Sequence, residues 1–187
     1  MTIFLILAPY GAFALLMLVT SAAVSLFAGA AICLAVIAYD LASGRSLKIL
    51  GAGSVVVFTA VGSYVALVDP HLSVSAVKLA VDTGIFLVTL GSIVAGKPFT
   101  LQYAREVVDA ETLKVPGFLK ANFIITWAWT LSMLLMMAGN VALIYVPGLP
   151  LWSSLLIAFA ARNSAVYFTR WYPEYTKAKY ATPPGLR

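Results

Sequence analysis

Long apolar stretches separated by short polar segments occupy almost the whole chain. Inside lipid, every backbone amide and carbonyl must be hydrogen-bonded within its segment, which favours helices over open strands. A helix needs roughly 20 apolar residues to cross about 30 Å of hydrocarbon. The pattern therefore predicts an all-α, polytopic transmembrane helix bundle with six spans, at about residues 3–19, 21–39, 49–68, 74–95, 121–146 and 151–169.

The first two apolar runs meet at Thr20 and Ser21, and this predicts a very tight helical hairpin. One continuous helix over both runs would extend roughly 58 Å, well beyond one bilayer. The number of spans falls to five if the hairpin is a single segment. A cleaved signal peptide is a third interpretation, but the basic region that should precede its apolar core is missing.

Composition agrees with the membrane interpretation. The chain of 187 residues is 62% hydrophobic and only 10% charged. A soluble domain of this length cannot bury so much apolar surface. We predict one transmembrane bundle domain over residues 1–172, followed by a basic tail over residues 173–187.

The cations fall on one face of this alternating topology, whereas the opposite loops hold only Asp69 and His71. The positive-inside rule then predicts that both termini are cytoplasmic. The net charge of +5 is explained by topology and by contact with anionic lipids, so membrane lipids are predicted partners and nucleic acid is not. The cations on this face are Arg45, Lys48, Lys97, Arg105, Lys114, Lys120, Arg170, Lys177, Lys179 and Arg187.

Four of the polar residues inside the predicted spans form a candidate cluster: Lys78, Asp82, Asn140 and Arg162. Charges at such depth are costly in lipid, so they should face the bundle interior and pair with one another. We predict that Asp82 pairs with Lys78, with Arg162 or with both, at nitrogen–oxygen distances under about 4 Å. A polar site for a proton or a small anion is the functional alternative to a purely structural ion pair.

The loop over residues 96–120 contains the most motif-like segment. Its apolar side chains Phe99, Tyr103 and Val107 recur on one arc, which predicts an amphipathic interfacial helix from Pro98 to Val108. Gln102 belongs to the polar arc, so its truncation should change stability little. A phosphate site at two cations of this loop is an alternative, but no glycine-rich cradle accompanies them. The polar residues concerned are Lys97, Gln102, Arg105 and Glu106.

Catalytic and metal-binding patterns do not stand out in the sequence. Cys33 is the single cysteine and His71 the single histidine, which excludes a thiol pair and a histidine-based metal cluster. No nucleophile–base pair is recognisable either. We therefore predict a protein that is not an enzyme and that uses no cofactor or metal.

The order of several short motifs resembles the intracellular septation protein A family. The likeness runs from about residue 3 to residue 172, and the order of the motifs is more specific than any one of them. The residues that carry it are Lys78, Lys97-Pro98, Gln102, Arg105-Glu106, Lys120, Asn122, Trp127 and Asn140.

The resemblance implies a multi-pass protein of the bacterial inner membrane. It further implies a role in cell division, elongation and envelope maintenance through other membrane or division proteins, and a homo-oligomer is compatible with it. Asp82 and Arg162 depart from the family pattern. They support the alternative of a small transporter or channel for a proton or small anionic solute, using Lys78, Asp82, Asn140 and Arg162. A shared water-accessible cavity would favour this alternative.

Overall fold

The computed structural model describes residues 3–115 and 117–181 as helices joined by turns and loops. A 3₁₀ turn at Thr112–Lys114 precedes the sixth helix. The α-helices are α1 (Ile3–Leu16), α2 (Ala22–Ala42), α3 (Ile49–Leu67), α4 (Val74–Val94), α5 (Phe99–Ala104), α6 (Phe118–Tyr145) and α7 (Leu151–Ala181).

Four of the described helices, α2, α3, α4 and α6, are long and apolar enough to cross a membrane. These apolar helices indicate an integral membrane protein, as the sequence predicted. The predicted number of six spans is reproduced only in part. Helix α1 has 14 residues, a length of about 21 Å that is shorter than the hydrocarbon layer. Helix α7 has 31 residues and is not one of the four helices that meet the length and hydropathy requirements for a span.

Helices α1 and α2 are separate, so the interpretation of one continuous helix over both is wrong. The chain turns over residues 17–21. Ser21 then caps α2 by accepting a hydrogen bond from the backbone amide of Val24 at 3.4 Å, and the hydroxyls of Thr20 and Ser25 lie 2.9 Å apart. Small hydroxyl side chains thus satisfy the backbone groups at this helix start, as expected for an N-cap.

The helices pack mainly on their neighbours, in the order α1, α2, α3, α4, α6 and α7, with α5 on α6. Helices α3 and α4 approach closely because each presents a glycine to a valine of the other. A Cβ added to Gly53 would lie 2.6 Å from Val88, and one added to Gly84 would lie 2.6 Å from Val57. This reciprocal contact holds the two backbones together through van der Waals packing, as small residues do in membranes.

The loop after α4 folds back under the bundle. Gly96 has a φ of +69°, a conformation that glycine adopts without strain, and it ends α4. The hydroxyl of Ser92 then accepts a hydrogen bond from the amide of Phe99 at 3.1 Å. The hydroxyl of Thr100 in turn donates to the carbonyl of Asn122 at 2.9 Å. These contacts seat α5 against α6.

Helix α5 is shorter than predicted. It has six residues, whereas the sequence predicted an interfacial helix from Pro98 to Val108. Beyond Ala104 the backbone continues as turns, and the side chain of Glu106 contacts Ser46 and Lys48 of the α2–α3 loop. Helix α7, in contrast, continues through Pro173 to Ala181, beyond the predicted end of the last span at residue 169. The rest of the predicted tail, residues 182–187, lies outside the described residues.

Candidate functional site

A cavity of about 710 Å³ opens between α7 and the group formed by α1, α4, α5 and α6. Its volume falls in the range of roughly 300–1,000 Å³ that is usual for small-molecule sites. Asp82 and Arg162, from the middle of α4 and α7, lie among its walls. So do Val107 in the segment after α5 and Lys120 in the first turn of α6. Val107 and Lys120 are both exposed, so the cavity opens on the side of the loop between α4 and α6. We call it the loop-side cavity.

Apolar and aromatic side chains form most of the remaining wall. They come from α4, α5 and α6. A few polar side chains, among them Ser132 of α6 and Thr169 and Thr176 of α7, complete the wall. A cavity with apolar walls and few convergent polar groups is the usual form of a binding site for an organic molecule. The wall includes Ile85, Phe99, Ile125, Trp129, Met133 and Met136.

Arg162 is the cation at the deep end of the cavity. Its Nη2 lies 4.0 Å from the sulfur of Met136, and its guanidinium carbon lies 5.9 Å from the ring centre of Tyr10. Among the described residues, no carboxylate oxygen comes within 4.0 Å of this guanidinium. A thioether and an aromatic ring are weak partners for a guanidinium. Arg162 therefore keeps hydrogen-bonding capacity toward the cavity.

Asp82 does not form the ion pair that the sequence predicted. Its Oδ2 accepts a hydrogen bond from Nδ2 of Asn140 at 2.8 Å. Within the described chain, neither Lys78 nor Arg162 lies within 4.0 Å of it. The nitrogen of Lys78 instead donates to the hydroxyl of Ser154 at 3.5 Å. The prediction was wrong because Asn140 occupies the position beside Asp82, while the two cations have contacts elsewhere.

Two buried polar atoms near this site lack a hydrogen-bond partner among the described residues. They are Oγ of Ser132 and Oδ1 of Asn140. Ser132 is 4% exposed and Asn140 is 2% exposed, and Ser132 lines the cavity. Buried polar atoms are nearly always hydrogen-bonded in folded proteins, so these two atoms are exceptions to the rule.

The four predicted intramembrane residues thus divide into two pairs. Asp82 and Arg162 line the cavity, whereas Lys78 and Asn140 are not part of its wall. Sequence reasoning missed Tyr10 and Ser132. A tyrosine and a serine in apolar helices give no spacing signal, and only the packing of α1 and α6 brings them to the site.

A network of buried charges, also missed, joins the two loops on the same side of the bundle. The amine of Lys48, only 3% exposed, lies 2.8 Å from Oδ2 of Asp40 and 3.0 Å from Oε2 of Glu106. Arg45 adds a second contact to Asp40 at 3.2 Å. The oxygen of Glu106 that faces Lys48 lacks hydrogen-bond geometry, so this contact is an ion pair. The network links the α2–α3 loop to the segment after α5.

Gln102 has a structural contact that the sequence did not predict. Its Oε1 accepts a hydrogen bond from the amide of Ile49 at 2.8 Å, the first residue of α3. The N-cap residue Lys48 makes no capping bond with its own side chain, so Gln102 supplies the acceptor from another segment. This contact argues against the expectation that truncation of Gln102 changes stability little.

The aromatic side chains of α5, Phe99 and Tyr103, face the bundle. Both lie within the predicted helix from Pro98 to Val108. Phe99 is buried, and the ring of Tyr103 contacts it edge-on with centres 6.4 Å apart. The amine of Lys48 lies 5.5 Å from the centre of the Tyr103 ring. Burial raises the pKa of Tyr103 above its ordinary value, so its hydroxyl is protonated at neutral pH. Val107, predicted to share this face, is 63% exposed.

The other residues singled out from the sequence are dispersed. Lys97 and Arg105 are exposed, whereas Pro98 is buried. Asn122 is buried and donates from Nδ2 to the carbonyl of Phe118 at 2.9 Å. Two further residues, Lys120 at the cavity rim and Trp127 on the outer surface of α6, are exposed.

Comparisons of the chain with protein-family models, with curated proteins and with solved structures give no match.

Proposed function

We propose that this protein binds a small organic solute through an anionic group in the loop-side cavity and carries that solute across the membrane. One observation carries the proposal. The guanidinium of Arg162 lines the cavity with no carboxylate within 4.0 Å among the described residues. An anionic group of the solute would be the ion-pair partner of this guanidinium.

The depth of Arg162 supports this assignment. It lies eleven residues into α7, about 16 Å along the helix axis, which is about half the thickness of the hydrocarbon layer. A charge at that depth costs about 2.5–3.5 kcal/mol even on insertion scales. Solute sites of membrane transporters likewise lie near the midplane, where access alternates between the two sides. A cavity that reaches Arg162 from one side of the membrane matches one of the two states of such a transporter, the state open to that side.

The wall chemistry defines the body of the solute. Phe99, Ile125 and Met133 are buried core side chains that also border the cavity. They favour a solute with an apolar body. Transfer of such a body from water gains about 25 cal/mol for each Å² of apolar surface buried.

Exchange across a membrane tests the proposal. The protein is reconstituted into liposomes and the exchange of radiolabelled benzenesulfonate, which stays anionic at all relevant pH values, is measured. We expect exchange above protein-free liposomes and a loss of at least about tenfold in Arg162→Gln. Arg105→Gln is the matched control, because Arg105 is exposed and outside the cavity wall. Equal exchange by the two variants would overturn the proposal.

Thiol labelling tests access to the cavity without any solute. In a Cys33→Ala background, Thr169→Cys should react with a small charged methanethiosulfonate reagent, because Thr169 lines the cavity and is partly exposed, and millimolar benzenesulfonate should slow the reaction. Ser25→Cys is the matched control, because Ser25 is fully buried and outside the cavity wall. If the Thr169→Cys variant is as unreactive as the Ser25→Cys variant, the cavity is closed to water and the proposal fails.

A role in cell division and envelope maintenance through partner proteins is our second proposal, which follows the resemblance to the septation protein A family. Its support is structural. Gln102 and Glu106, two of the motif residues, make the contacts that attach the loop to the rest of the bundle. Under this proposal the protein is a non-enzymatic component of a bacterial inner membrane, with both termini cytoplasmic.

Complementation tests this second proposal. The chain is expressed in a bacterium that lacks its own septation protein A, and cell length is measured by microscopy. Restoration of normal length that is lost in Glu106→Ala supports the role. Membrane insertion without any restoration counts against it. Fluorescent fusions at residue 187 and in the turn at residues 69–71 report the orientation in the same cells.

A further inference from the structure

The deep end of the loop-side cavity carries two opposite charges that do not neutralise each other. Asp82 and Arg162 both line it, yet within the described chain they are farther apart than 4.0 Å. In a medium of low dielectric, two such charges gain strongly by contact unless something holds them apart or lies between them.

Each charge is held by its own neighbours. Asn140 donates to Oδ2 of Asp82 at 2.8 Å, which keeps the carboxylate on the α4–α6 side. The ring of Tyr10 on α1 and the sulfur of Met136 on α6 flank the guanidinium of Arg162. The site therefore presents an acceptor and a donor at separate points of one cavity.

Neither charge has an oppositely charged side-chain partner within 4.0 Å among the described residues. A ligand with one anionic and one cationic group would pair with both Arg162 and Asp82, whereas a simple anion leaves Asp82 without a cation.

The charges at the deep end of the cavity, away from Lys120 at its rim, agree with this. Lys78 is on the same helix as Asp82, but its amine bonds Ser154 and it is not part of the cavity wall. The deep end therefore shows one positive and one negative side chain, a net charge of zero. A ligand that is itself neutral overall but carries separated charges matches this arrangement without leaving an excess charge in the membrane.

We infer that the solute is zwitterionic, an apolar α-amino acid or a molecule of the same pattern. Its carboxylate binds Arg162, its ammonium binds Asp82, and its apolar side chain occupies the space lined by Ile85 and Met133. This inference rests on the proposed function and narrows its substrate class from any solute with an anionic group to one with a neighbouring cationic group.

Three probes of one carbon skeleton separate the alternatives. Leucine carries both charges, 4-methylpentanoate carries only the carboxylate and 3-methylbutylamine carries only the amine. Binding to the full chain in detergent is measured by equilibrium dialysis at neutral pH. We expect leucine to bind at least about tenfold more tightly than either analogue, because each analogue leaves one buried charge without a partner.

Two variants test which side chain binds which charged group of the ligand. Asp82→Asn should reduce the affinity for leucine to that for 4-methylpentanoate, and Arg162→Gln should reduce it to that for 3-methylbutylamine. Lys97→Ala, at an exposed position outside the cavity wall, should bind all three probes as the parent does. If a variant fails to fold, the three probes on the parent protein still decide.

The outcomes distinguish the two levels of the proposal. If 4-methylpentanoate binds as tightly as leucine, the zwitterion is overturned while the anion site stands. If none of the three binds, the zwitterion is overturned as well, and the benzenesulfonate exchange decides separately whether an anionic solute is carried. Leucine selectivity that disappears in Asp82→Asn supports the inference.

Discussion

Asn140 of α6 donates a hydrogen bond to Asp82 of α4 at 2.8 Å. This contact between two membrane-embedded helices takes the place of the ion pair expected for Asp82. Because the donor is a neutral amide, the carboxylate is positioned without being neutralised. Arg162 is consequently left facing the cavity, and this is the feature on which the proposed function depends.

The Asp82–Asn140 contact makes a quantitative prediction. In a double-mutant cycle of Asp82→Ala and Asn140→Ala, we expect a coupling free energy of about 0.5–1.5 kcal/mol, typical of interhelical hydrogen bonds in membranes. The cycle of Asp82→Ala with Arg162→Ala should show a smaller coupling. The free energy of unfolding in mixed detergent and SDS measures both. A larger coupling to Arg162 would restore the ion pair as the dominant interaction.

Lys48 should be the most sensitive cation of the loop side. Lys48→Met leaves Asp40 and Glu106 buried without their shared partner. Removing one member of a buried ion pair typically costs about 3–5 kcal/mol. Thermal unfolding in detergent measures the effect. Lys97→Met, at an exposed position, should shift stability by no more than about 0.5 kcal/mol, and equal shifts would contradict the importance of the network.

Gln102→Ala should destabilise the protein, contrary to the expectation from sequence. The change removes the acceptor for the first amide of α3, and loss of a helix cap costs about 0.5–2 kcal/mol. Arg105→Ala on the same loop is the control, because that side chain is exposed. Amide hydrogen exchange of the first turn of α3 should increase in Gln102→Ala alone. Unchanged exchange there would show that the cap is not needed.

The glycine contacts between α3 and α4 predict a suppressor pair. Gly84→Ala places a Cβ about 2.6 Å from Val57, and overpacking of this kind costs about 1–3 kcal/mol. Val57→Ala in the same chain should recover most of that loss. Gly91→Ala on the same helix meets nothing within 4 Å, so it should be neutral. Stability measured in detergent decides, and an equal loss in both glycine variants would contradict the close packing.

Much of the helical layout follows from local properties of the chain. Long apolar runs without alternation form helices because lipid allows no unsatisfied backbone group. The predicted bounds of the third and fourth spans, 49–68 and 74–95, agree with α3 and α4 to within one residue at each end. The break near Thr20 and Ser21 was also visible, because hydroxyl side chains cap helices.

Tertiary structure alone decided which polar groups meet. The rise of a helix gives the depth of Asp82 and Arg162 from sequence, but not the direction in which each side chain points once six or seven helices pack. The same limit explains why the burial of Lys48 was not predicted. In the sequence Lys48 is a loop cation, but in the fold it is buried against Glu106, which lies 58 residues further along the chain. Depth is a one-dimensional property and is readable from sequence. A binding site depends on the relative rotation of its helices and on how loops fold back, and those are set by packing between distant segments.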